Sequence, residues 1–199
     1  MKEETKNYDV DTMNALLSST VYGNNPIKFK ALAQKLSMSG GYAKTGLAKL
    51  IEEKSRKGDT AFVQSIAEFA QKDSNVSAAL NQKDMMLAQY LREVNSGDAK
   101  GLSFEAWQKG ERFDKEGKRL GTNAEFVMDK IITKDTDFVD QSASAVKRTV
   151  NLLSTSRLET IMHNQEIREH IDKDVAKAIV ESAKSRGMNI PSNWDKYLV

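Results

Sequence analysis

The chain has 199 residues, 39% of them hydrophobic and 29% charged, with a net charge of +2. That length holds one domain or two small ones with a real core. The apolar share is too high for a disordered chain, and no global field points to nucleic acid or a membrane surface. Cysteine is absent, which excludes disulfides, thiolate metal sites and a cysteine nucleophile.

No apolar run approaches the roughly 20 residues of a spanning helix; Met85-Met86-Leu87-Ala88 is typical of what is there. Met1 to Asp11 is polar and mixed in charge, unlike the apolar stretch of a signal peptide. The expectation is a soluble protein, cytoplasmic or part of an assembled particle.

Apolar residues recur with helical period almost throughout, and the fold class expected is all-α. Phe29, Leu32, Ala33 and Leu36 fall at i, i+3, i+4, i+7. Ala43, Leu47, Leu50 and Ile51 make a second stripe, and Phe62, Ile66, Phe69 and Ala70 a third. Val139, Ala143, Val146, Val150 and Leu153 extend the pattern over several turns. Each set is one apolar face of a helix. No period-two strand stands out.

Boundary residues agree with the stripes. Asn25-Pro26 reads as an N-cap followed by proline in the first turn, where its missing N–H costs nothing. Thr122 and Glu125 form a capping box, and Gly187 and Pro191 close the last long helix. The pattern predicts about nine helices, near 12–18, 26–38, 42–57, 60–72, 75–95, 103–118, 123–134, 137–170 and 172–186. The segment 137–170 should break or kink, because its stripe changes phase after Leu153.

Residues 97–121 hold five glycines, many charges and few apolar side chains. They read as an exposed helix with loose ends, or as a hinge between an N-terminal half (1–96) and a C-terminal half (122–199), with Phe104 and Trp107 anchoring the segment to one half. Each glycine lowers helix stability by about 1 kcal/mol relative to alanine.

Charge is uneven. Residues 25–58 carry eight cations (Lys28, Lys30, Lys35, Lys44, Lys49, Lys54, Arg56, Lys57) against Glu52 and Glu53. The run Leu32-Ala33-Gln34-Lys35-Leu36-Ser37-Met38-Ser39, followed by Ala43, Leu47 and Leu50, resembles a helix-turn-helix. In that motif the second helix enters the major groove by its N-terminal end. The resemblance implies that Tyr42, Lys44, Thr45 and Lys49 face DNA, with Lys35, Lys54, Arg56 and Lys57 supplying further, salt-dependent phosphate contacts. It covers Leu32 to Leu50. Gly40, Gly41 and Gly46 depart from the motif, and no arginine, asparagine or glutamine stands where bidentate base contacts come from. The same residues also read as an ordinary helical hairpin with a solvated lysine face.

His163 and His170, with Glu159 and Glu166 interleaved, would project within about 60° on one uninterrupted helix. Histidine and carboxylate on one face can hold a divalent metal, but the same spacing gives plain surface pairs. No catalytic motif, phosphate loop or dinucleotide fingerprint is visible. No cofactor is expected.

Neither Met1–Asp11 nor Asn189–Val199 has much apolar surface to tie itself down; at the C-terminus only Ile190, Trp194, Tyr197 and Leu198 could anchor. Order in these ends would then come from neighbouring chains. The leading expectation is a non-enzymatic helical protein that works through protein contacts, as a subunit of an oligomer or larger assembly. DNA binding by 25–58 is the alternative, and a metal protein or enzyme centred on His163 and His170 the second.

Overall fold

The computed structural model describes residues 26–56, 60–99, 101–132 and 141–197. Among the described residues the fold is all-α apart from one two-stranded sheet. The expected helix near 12–18 lies outside the described residues. The chain divides into two compact units, Met1–Trp107 and Gln108–Val199.

The first unit is built on α1 (Pro26–Ser37), α2 (Gly41–Arg56), α3 (Thr60–Lys72), α4 (Ser74–Lys83) and α5 (Met85–Ser96). The apolar stripes meet in one core. Phe29, Leu36, Leu47, Leu50, Ile66 and Leu80 are almost fully enclosed, and Phe29 meets Phe62 edge-on with ring centroids 5.0 Å apart. α2 packs on α1, α3 and α4, while α3 lies along α5.

The single helix expected at 75–95 is two. Asp84 interrupts it: its backbone N–H closes α4 on the Leu80 carbonyl, and its side chain accepts from the Leu87 N–H to open α5. A short polar side chain that caps the next helix competes with helix continuation. Asp73 caps α4 in the same way through the N–H groups of Asn75 and Val76.

The helix α6 (Phe104–Lys109) joins the first unit through aromatic contacts. Tyr90, Phe104 and Trp107 form a cluster with centroids 5.2–6.4 Å apart. The Tyr90 hydroxyl donates to the Leu102 carbonyl at 2.8 Å. Burial raises the Tyr90 pKa to about 12. Phe104 and Trp107 are thus the anchors that their isolation in a polar segment suggests.

Beyond Lys109 the expected helix 103–118 does not continue. β1 (Glu111–Phe113) and β2 (Arg119–Thr122) pair antiparallel as a hairpin. It packs on α7 (Asn123–Ile132) in the second unit. Of the glycines in this stretch, Gly97 caps the end of α5, Gly117 sits in the hairpin turn and Gly121 lies in β2; three- and four-residue strands are too short to show a period.

The rest of the second unit is α8 (Ala143–Asn151), α9 (Thr155–His163), α10 (Gln165–His170), α11 (Lys173–Ser185) and a 3-10 helix, Ser192–Tyr197. The expected break in 137–170 occurs twice, at Ser154 and at Asn164; each side chain accepts an N–H from the helix it opens. Val139 lies outside the described residues. α8 packs on α7 and α11, burying Val146, Val150 and Leu153 against Ile179, Val180 and neighbours. The Arg186 guanidinium donates to the carbonyls of Leu153 at 2.7 Å and Asn151 at 3.2 Å, neutralising acceptors that the end of α8 leaves unpaired.

The C-terminal segment corrects the expectation that it needs a neighbouring chain. Trp194 is fully buried, and its indole N–H donates to the Met162 carbonyl at 2.8 Å. A fully buried tryptophan with a satisfied N–H is a strong anchor, and here it holds residues 189–197 to their own unit. Met1–Asp11 and Leu198 lie outside the described residues.

Candidate functional site

α1 and α2 are joined by a turn of three residues, Met38 to Gly40. Ala33, Leu36, Ala43, Leu47 and Leu50 are all buried, as the helix-turn-helix resemblance implies. The surface of α2 is less accommodating. Ala43, Gly46, Leu47, Ala48, Leu50, Ile51 and Ser55 are buried, which at 100° per residue spans about 200° of the helix.

What remains is a stripe about 160° wide on which Gly41, Thr45, Lys49, Glu52, Glu53 and Arg56 fall. The Thr45 hydroxyl donates back to the Gly41 carbonyl at 3.1 Å. Arg56 pairs with Glu52 at 3.4 Å and Glu53 at 3.6 Å, so its charge is balanced locally. Lys49 is exposed on the stripe. Lys44 and Lys54 fall in the buried arc and are half-buried, and Lys35 is exposed on α1. Tyr42 is the second residue of α2; Lys57 lies outside the described residues. The basic excess is therefore divided among several faces rather than gathered on one reading face.

The histidine set comes apart. His163 ends α9 and His170 ends α10, with Asn164 breaking the helix between them. The one-helix geometry behind a shared metal face for Glu159, His163, Glu166 and His170 is thereby lost. Among the described residues no three histidine or acidic side chains gather where an ion could be held. His163 instead makes a 2.9 Å hydrogen bond between Nδ1 and the Glu159 carbonyl oxygen. It lines an open cleft of about 390 Å³ with Thr155, Glu159, Met188, Asn189, Ile190 and Pro191.

The hairpin is the feature that sequence reasoning missed. Its turn is fixed by Asp114, whose Oδ1 accepts from the N–H groups of Glu116 at 3.0 Å and Lys118 at 2.8 Å. Gly117 supplies the positive φ of 83° that this turn needs. On the side toward α7, the Arg112 guanidinium lies 4.1 Å from the Phe126 ring centroid and donates to Asn123 Oδ1 at 2.9 Å. Gly121 adopts φ +104°, and a Cβ there would stand 2.7 Å from Glu125 Oε2. Thr122 accepts from the Glu125 N–H at 3.1 Å, the hydroxyl half of the expected capping box, and α7 starts directly from the strand.

Held in this way, the hairpin leaves two large apolar side chains in solvent: Phe113 is 55% and Leu120 42% exposed. Glu111 and Arg119 bridge at 3.0 Å, both half-exposed. A β-bulge lies at Arg112/Phe113, a device that re-aims side chains at a sheet edge. The pattern is inverted, with Arg112 half-buried on the packed side and Phe113 exposed, and strands this short leave no periodic signal of it in the sequence.

No family model, no curated protein and no solved structure matches the chain. Among the described residues, no helix is long and apolar enough to cross a membrane.

Proposed function

We propose that this chain is a non-enzymatic helical protein that acts through protein contacts, as a subunit of an oligomer or larger assembly. The observation that carries the reading is the exposure of Phe113 and Leu120 on a hairpin fixed by its turn, its arginine contact and its junction with α7. Single exposed apolar residues on a monomer need no explanation. Two on one short, preorganised ribbon favour a contact surface, because rigid elements lose little entropy on binding and aromatic anchors dominate interface energetics.

Light scattering on the full chain over a concentration series, alone and with extract from its source, tests the reading. The expected result is a species larger than the monomer, reduced by the double substitution Phe113→Ser and Leu120→Ser while the helical circular dichroism stays unchanged. A compact monomer under every condition, indifferent to the substitutions, would falsify it.

DNA binding by α1 and α2 is the second reading, supported by the short turn and the buried Ala33, Leu36, Leu47 and Leu50. Fluorescence anisotropy against duplex DNA at two salt concentrations tests it. Binding that weakens with salt and with Lys49→Ala supports it; no binding at low salt removes it.

A further inference from the structure

We infer that the cleft beside α9 is a seat for one cationic side chain, a lysine or arginine presented by a partner polypeptide. The inference deepens the protein-contact reading and rests on it for the carrier of that side chain. One wall is a single stripe of α9, because Thr155, Glu159 and His163 are spaced four apart. The other is the segment Met188 to Pro191.

That second wall is built rather than loose. Gly187 turns the chain out of α11 with φ +69°, and its N–H and that of Met188 close on the carbonyls of Lys184 and Ala183. Below Pro191, the buried Trp194 pins the chain to the Met162 carbonyl of α9 at 2.8 Å. Both walls are therefore set before anything binds.

The chemistry of the walls is unequal. The α9 wall is rich in acceptors. Glu159 contributes a carboxylate and Thr155 a hydroxyl. The Glu159 carbonyl that His163 Nδ1 meets is an acceptor only, so Nδ1 donates to it. Among the described residues, no lysine or arginine lines the cleft. The facing wall offers Met188, Ile190 and Pro191 as apolar surface and the Asn189 amide.

A lysine or arginine matches both walls at once. Its methylene stem lies on apolar surface while its head meets acceptors. An anionic or purely apolar group would waste the carboxylate. The cleft volume of about 390 Å³ lies toward the small end of the range for ligand sites, which suits one side chain rather than a folded element.

The test is a titration of the full, isotopically labelled chain with N-acetyl-arginine N-methylamide, followed by magnetic resonance. The neutral citrulline analogue and the Glu159→Gln chain serve as controls. Glu159 is exposed, so the substitution leaves the fold intact. Saturable shifts at His163 and Ile190 are expected, with affinity about threefold to fivefold lower for citrulline and for Glu159→Gln, the scale of an exposed ion pair. Absence of saturable shifts, equal binding of arginine and citrulline, or unchanged binding by Glu159→Gln overturns the inference. If arginine binds while the Phe113 association test fails, the seat stands and the partner reading falls. If the chain associates but arginine does not bind, only the seat falls.

Discussion

The α1–α2 pair and the 111–122 hairpin differ in what the sequence advertises, although both leave apolar side chains in solvent, Ile27 and Met38 on the first and Phe113 and Leu120 on the second. The pair is conspicuous in sequence, with most of the chain's basic excess and a resemblance to a known motif. Yet a little over half of the circumference of α2 is spent on packing, and Arg56 is balanced by Glu52 and Glu53. The hairpin is inconspicuous, hidden in a polar, glycine-rich stretch. Its charged residues do structural tasks, Asp114 in the turn and Arg112 against Phe126, and its apolar residues face water. A cluster of charge marks solvent more readily than function, whereas apolar surface held rigidly in solvent asks for a partner.

The comparison can be broken by substitution, and the largest effect is expected in the first unit. Leu47 is fully buried, so Leu47→Ala should cost about 2–5 kcal/mol, read from urea unfolding. A cost below 1 kcal/mol would mean that α2 is not the packed helix described here. In the hairpin, Gly121→Ala should cost about 1–3 kcal/mol, because alanine is strained at this φ and meets the Glu125 carboxylate. A neutral result would mean that the strand-to-helix junction is not fixed.

The anchor between α5 and α6 has a pH signature. Tyr90 titrates near 10 when unfolded and is raised to about 12 by burial in the fold. The unfolded chain therefore loses this proton first. The stability is fully present below pH 10 and is lost as pH rises through about 12. Tyr90→Phe should abolish this part of the alkaline dependence, measured by unfolding at pH 9 and pH 11. It should also cost about 1 kcal/mol at neutral pH through the lost bond to Leu102. The smallest effects belong to the exposed residues: Lys49→Ala and Phe113→Ser should each change monomer stability by less than about 0.5 kcal/mol.

Much of the fold was legible because helices repeat within a dozen residues. α3 begins and ends where its stripe predicts, and α1 and α2 do so within a residue or so. What escaped depended on single polar side chains that serve as caps, since Asp84 and Asn164 look like ordinary helix-surface residues until their hydrogen bonds are seen. The same breaks undid the histidine face, whose geometry needed one continuous helix. The hairpin escaped for a different reason. Its strands are too short for alternation to register, and its exposed Phe113 follows the opposite of the usual rule. Trp194 was recognised as a candidate anchor, but its target, a carbonyl 32 residues earlier, is a tertiary fact with no local trace. For the candidate site, the sequence showed where charge lay, not which face each lysine would occupy.

The most direct test of the central claim compares the two regions in one experiment. A photo-crosslinking amino acid is placed at position 113 in one chain and at position 49 in another, and each is irradiated in native extract. The account predicts polypeptide adducts from position 113, recurring at one defined surface, and none of comparable yield from position 49. Adducts to nucleic acid from position 49, with none from 113, would contradict it.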